Sequence, residues 1–180
     1  FGNDGNISKE KLESCINSDL ANNFGNFIQR VVSFNEKNLD LKIPDKGNFT
    51  NEDIKILSVF ENEYDNLIYH IDTQNLNFYI NFIVDNLFKA NKYFNDQEPW
   101  NKKNNLKRLN TIVYVSLELI RKFSILLYPI IPETSLKVLS IFNMNERDIH
   151  FNTIKNHELN KINQKINKIG ILFKKIDKND

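Results

Sequence analysis

Asn26 and Arg30 lie four residues apart in a stretch of helical apolar spacing, so their side chains rise from one helix face. An amide offers a donor and an acceptor, and a guanidinium offers a planar fork that also stacks. Such a pair can read the edges of an unpaired base; the alternative is two polar groups on the wet face of an amphipathic helix. A second constellation is Pro99-Trp100, which carries the chain's single tryptophan. It ends the run Ala90-Asn91-Lys92-Tyr93-Phe94-Asn95-Asp96-Gln97-Glu98, where helical periodicity stops at a proline, so the indole belongs to a helix end. Lys102, Lys103, Lys107 and Arg108 follow. An aromatic ring at a helix end beside cations matches a base-stacking platform next to phosphates. The competing reading is a tryptophan wedged between helices, with a solvated lysine face after it.

Catalytic chemistry finds little support. His70, His150 and His157 are scattered, and neither an H-E-x-x-H nor an H-x-G-H arrangement is present. Five glycines leave little room for a phosphate-cradling loop. Glu61, Glu63 and Asp65 read as a solvated helix face, and His70 as a helix C-terminal residue. Cys15 is the only cysteine, which excludes an internal disulfide and a cysteine-rich zinc knuckle. Beside Leu12 and Ile16, it is expected to be a reduced, buried thiol. No catalytic residue and no metal ligand is expected.

The elements that must position these residues are helices. The 180 residues, 41% hydrophobic and 26% charged, suit one ordinary globular domain. A net charge of +1 predicts no general attraction to polyanions, so any nucleic-acid contact must be local. No run approaches the ~18 uncharged apolar residues of a membrane span. The polar start carries no signal-peptide pattern, and a chain opening on Phe1 looks cut from something longer. After a turn at Asp4-Gly5, Ser8 caps a helix with Leu12, Ile16, Leu20, Phe24, Phe27 and Val31, and Ser18-Asp19 either divides it or caps a second piece. A loop at residues 41–48 holds Pro44 and Gly47. Thr50 or Asn51 caps the next helix, with Ile54, Leu57, Phe60, Tyr64, Leu67, Ile68 and Ile71. A third runs from Leu76 through Ile80, Ile83, Leu87, Ala90 and Phe94 to Pro99. A fourth spans about Asn104 to Tyr128, with Leu109, Ile112, Val115, Leu119, Phe123 and Leu126 inside. A short fifth follows from Glu133 to Phe142. Lys161, Lys165 and Lys168 would share one face of a further short helix before the apolar strip Ile169 to Phe173. The spacing thus predicts an all-α bundle of about five helices over residues 1–150, with a C-terminal return segment over 151–180.

In combination these signals are specific. Asp4-Gly5-Asn6-Ile7-Ser8, Asn17-Ser18-Asp19-Leu20-Ala21-Asn22 and Asn26 through Arg30 closely resemble the start of the anticodon-binding domain of methionyl-tRNA synthetases. Ala90-Asn91-Lys92-Tyr93 with Pro99-Trp100 looks like the family's second signature, and Leu172-Phe173 with Ile176 fits its closing segment. The resemblance implies a helix bundle packed after a class I catalytic domain, binding the CAU anticodon of initiator and elongator methionine tRNAs. It places base contacts on Asn26 and Arg30 and cytosine stacking on Trp100; the nearby Lys102, Lys103, Lys107 and Arg108 are candidate phosphate contacts by position, with a solvated lysine face as the alternative. For the parent it implies a cytoplasmic ligase using ATP and magnesium, with residues 151–180 packing on the bundle or on the catalytic domain. The family's closing prolines are replaced here by Ile169, Ile171 and Lys174. H-x-G-H and K-M-S-K-S signatures are absent, so these residues are not expected to catalyse. The alternative is a non-catalytic helical protein-interaction module.

Overall fold

The computed structural model describes residues 8–157, 159 and 164–173; the turn at Asp4-Gly5, Ile7, Lys161, Lys174 and Ile176 lie outside the described residues, as do the side chains of Leu12 and Ile16. Ser8 precedes α1 (Lys9–Cys15), which passes without a break into a π-helical segment, Ile16–Gly25, and then into α2 (Asn26–Leu39). The Ser18-Asp19 division is therefore a widened turn and not an interruption. α2 buries Phe27, Ile28, Val31 and Val32, and ends where Asp40 and Leu41 adopt φ of 53° and 55°. In the following loop the Gly47 N–H donates to Thr111 Oγ1 at 2.8 Å. A Cβ at Gly47 would stand 3.3 Å from the same oxygen, so any larger residue there would press on Thr111.

The expected second helix is two, α3 (Asn51–Asn62) and α4 (Tyr64–Asp72), broken at Glu63 with φ −96° and ψ 1°. The break lets Leu67 enter the core that Leu57 and Phe60 reach from α3. The Thr50 N–H donates to the Asp53 carboxylate at 2.9 Å and opens α3. α5 (Leu76–Gln97) starts at Asn75, whose side chain accepts from the Phe78 N–H, and stops at Glu98, held left-handed at φ 44° before Pro99. Pro99–Asn101 form one 3-10 turn. α6 (Leu106–Leu127) is the central rod: every residue from Thr111 to Leu127 is buried, enclosed by α2, α3, α5 and α7 (Pro132–Leu139). Ser116 and Ser124 survive there by donating to the carbonyls of Ile112 and Ile120. A 3-10 turn, Ser140–Phe142, completes the expected fifth helix.

Four expectations about burial or local structure are corrected. Cys15 is exposed, its thiol donating to Asp19 at 3.5 Å, because the widened turn that begins at Ile16 changes which residues share a face. Ile54 is exposed because α3 turns Asp53, Leu57 and Phe60 inward. Leu76 and Ile80 are exposed because α5 turns Tyr79, Ile83 and Leu87 inward; the Tyr79 hydroxyl donates to the Leu126 carbonyl. Lys165 and Lys168 lie in extended backbone, not on a helix. There the peptide groups bond outward: Ile43 N–H to Gln164 O, Ile166 N–H to Leu41 O and Asn167 N–H to Ile141 O, at 2.7–2.9 Å. The return continues until the Phe173 ring meets Phe24 at 6.4 Å and covers Gly25. No described helix is long and apolar enough to cross a membrane.

A buried charge cluster fastens the chain beyond α7 to the central rod. Arg121 donates to the Glu118 carboxylate at 2.8 Å and to the carbonyls of Thr153 and Asn156 at 3.0 Å. Lys122 donates to the carbonyls of Ile154 and Asn156, and Glu118 accepts the Leu159 N–H at 2.6 Å. His157 lies beside the cluster, its ring edge-on to Phe49 at 5.7 Å. Burial, with Lys122, Arg121 and Lys46, lowers its pKa below the ordinary 6.5, and Glu118 only partly opposes this. The unfolded chain takes up this proton at the ordinary value and the folded chain only at lower pH. Stability is therefore full above pH 6.5 and falls as pH drops through the folded value. The melting temperature of the wild-type chain should fall more between pH 7.5 and about 5.5 than that of His157→Gln. Equal losses would show that His157 does not carry this dependence.

Candidate nucleic-acid interface

Asn26 opens α2 at the end of the π segment, its N–H directed to the Ala21 carbonyl five residues back. Its side chain is exposed, and Arg30, one turn on, is half-buried. The reason for that partial burial is Phe94 on α5: the Arg30 guanidinium lies 5.6 Å over its ring. Trp100 meets the same ring edge-on, at 6.2 Å and 71°. Phe94 is 2% exposed and is braced from behind by Phe34 at 6.0 Å. One buried ring therefore carries a guanidinium and an indole that stands 39% exposed. The π segment is held to the same helix by Asn91, which donates to the Asn23 side chain at 2.8 Å.

Chemically, the arrangement presents a flat aromatic surface, a donor fork and an exposed amide within one region of the bundle. An unpaired base could stack on the indole while the fork and the amide address polar edges. Pro99 is buried and seats the turn from which the indole projects. Of the cations after it, Lys103 and Lys107 are exposed and Lys102 is half-buried.

Arg108 differs from the rest of the expected phosphate set. Its Nη1 donates to Asp53 Oδ2 at 2.5 Å and its Nη2 to Asp53 Oδ1 at 3.0 Å and Gln97 Oε1 at 2.5 Å. Only 16% of its side chain is exposed. A guanidinium committed to a buried carboxylate is not available to a phosphate, so Arg108 is removed from that set. The partner, Asp53, was absent from the sequence-derived site; its one signal was the spacing Thr50-x-x-Asp53 of a capping box. Glu118, Arg121 and Lys122 carry a weaker signal, three charges interrupting the apolar-rich stretch from Ile112 to Leu127 of the fourth helix.

A family model described as the anticodon binding domain of methionyl tRNA ligase matches residues 43–180. Trp100 lies within that range, and Asn26 and Arg30 precede it. The methionine–tRNA ligase of Mycobacterium leprae is 33% identical over 159 residues, 86% of this chain and 30% of the relative. That of Thermotoga maritima is 33% identical over 151 residues, 82% of this chain and 24% of the relative. The free-state crystal structure of Mycobacterium tuberculosis methionyl-tRNA synthetase superposes with a TM-score of 0.90 at 30% identity, covering 98% of this chain and 36% of that one. The same enzyme in complex with methionyl-adenylate superposes with a TM-score of 0.86 at 28% identity, covering 93% and 33%. The chain spans less than a third of the length of these two curated relatives.

Proposed function

The chain belongs to the family of methionyl-tRNA ligase anticodon-binding domains, and from that premise we propose that it reads the CAU anticodon of methionine tRNAs through Asn26, Arg30 and Trp100. The observation that supports this most is the sharing of Phe94 by Arg30 and Trp100, which gathers a stacking surface and a hydrogen-bonding fork from distant parts of the chain. Trp100 stacks on an unpaired base, Arg30 and Asn26 discriminate base edges, and Lys102, Lys103 and Lys107 address phosphates. Residues 1–150 form the reading bundle and 151–180 its return segment. In the larger protein, cytoplasmic on this reading, a catalytic domain outside these residues joins methionine to the tRNA with ATP and magnesium.

The test is a titration of the protein with CAU and altered anticodon stem-loops at fixed salt, followed by Trp100 fluorescence. The CAU loop should bind at least about tenfold more tightly, ~1.4 kcal/mol, and should change the emission. Equal binding of all loops overturns the reading. It would favour a protein-interaction module, for which the exposed Ile80 and Phe88, on one face of α5, are the supporting observation. Lys103→Ala and Lys107→Ala should weaken all loops alike, each lowering the salt slope by roughly 0.7–1. Sequence-dependent losses would show instead that these lysines touch bases.

A further inference from the structure

Asp53 is remote from the tryptophan in sequence, yet it reaches both ends of the loop that carries it. Its side chain has 0% exposed surface. It accepts from the Thr50 N–H at 2.9 Å, from the Tyr93 hydroxyl at 2.5 Å and from both Nη atoms of Arg108. Four donors fill the acceptor capacity of a carboxylate. Burial alone would raise its pKa, but Arg108, Tyr93 and Thr50 together hold it below the ordinary 3.8. Tyr93 and Gln97 belong to the end of α5, Arg108 to the first turn of α6, and the Trp100 loop runs between them. Phe94, the ring shared by Arg30 and Trp100, is the residue next to Tyr93.

We propose that Asp53, Tyr93 and Arg108 are positioning residues of the anticodon interface, a role that rests on the reading above. Their knot clamps both stems of the Trp100 loop, so the indole stands against Phe94 and beside Arg30 before RNA arrives. A surface ordered in advance loses less conformational freedom on binding. The Asp53–Arg108 pair balances its own charge, so Arg108 acts without offering a cation to phosphates.

Three variants test this. Asp53→Asn keeps the shape and removes the charge, and Arg108→Lys keeps the charge and removes the bidentate fork. Tyr93→Phe removes one hydrogen bond and is the mild variant, carrying the test if the others fail to fold. Trp100 is the only tryptophan, so acrylamide quenching of its fluorescence, without RNA and well below the melting temperature, reports the loop directly. Each folded variant should show greater quenching than the parent protein. Asp53→Asn and Arg108→Lys should also lose about tenfold in CAU stem-loop affinity with an unchanged salt slope. Lower melting temperature with unchanged quenching and affinity in the folded variants would reduce the knot to a stability element and overturn the proposal. Retained affinity in Arg108→Lys with tighter binding by Asp53→Asn would make Arg108 a phosphate contact and overturn it too. Should the parent protein not prefer CAU, the anticodon reading fails and the interface role with it. The RNA-free quenching would then still decide whether the knot places the loop.

Discussion

Trp100→Ala should weaken binding of a CAU stem-loop by roughly tenfold to a hundredfold, the ~1–3 kcal/mol of one stacked base, while the protein stays folded. The separation of the two effects follows from where the ring sits. At 39% exposure the indole packs against Phe94 at a steep angle and leaves much of its surface to solvent. Its removal opens no enclosed cavity, and Phe94 keeps Phe34 behind it and Arg30 above it. Trp100→Phe should retain part of the affinity, since a smaller ring still stacks. Because Trp100 is the fluorophore, these variants are titrated by calorimetry or with labelled RNA. Unchanged CAU affinity in a folded Trp100→Ala protein would remove the residue from the interface. Arg30→Ala should lose more for the CAU loop than for altered loops, since it takes away base-edge bonds as well as charge.

The largest expected effect on stability is at Glu118. Removing one member of a buried, hydrogen-bonded charge pair typically costs ~3–5 kcal/mol, a large share of the ~5–15 kcal/mol that holds a domain folded. Glu118→Ala takes the carboxylate from Arg121 and the acceptor from the Leu159 N–H in one change. Urea unfolding should show a midpoint lowered accordingly at similar slope. The double variant Glu118→Leu, Arg121→Met should lose less than Glu118→Ala, because the Arg121 guanidinium is then not left buried without its carboxylate. A loss under about 1 kcal/mol for Glu118→Ala would mean that water reaches the site once the carboxylate is gone.

The sequence announced the rods better than the faces they bury. Pro99 and a cap at Thr50 mark real boundaries, because these residues sit where their own backbone enters or leaves a helix. The apolar run of the central helix was equally plain. What periodicity could not show was which neighbour an apolar side chain would meet: Ile54 and Ile80 sit one step off the buried faces of α3 and α5. The π segment spaces Ile16, Leu20 and Phe24 four residues apart, a spacing an α-helix also accepts, so the changed period does not show. At the candidate site, the four-residue spacing of Asn26 and Arg30 and the proline before Trp100 were local signals. Phe94 between them, and Asp53 beneath Arg108, depend on contacts between distant parts of the chain that no short motif encodes.

The π segment makes the first rod a phase shifter. Each of its turns takes up about one residue more than an α-turn, so α1 and α2 stand in an angular relation that an unbroken α-helix of the same length would not give them. A residue deleted ahead of Asn23 would let the backbone bonds that span it shorten from five residues to four. The change would appear as a rotation of about 100° in what lies upstream, while Asn23 keeps its bond to Asn91 and Arg30 its place over Phe94. The same deletion inside α6 would turn a helix enclosed on all sides and disturb every layer around it. This rod therefore contains slack: a place where length can vary by a residue and the cost falls on orientation at its far end, not on the face that carries Asn26 and Arg30.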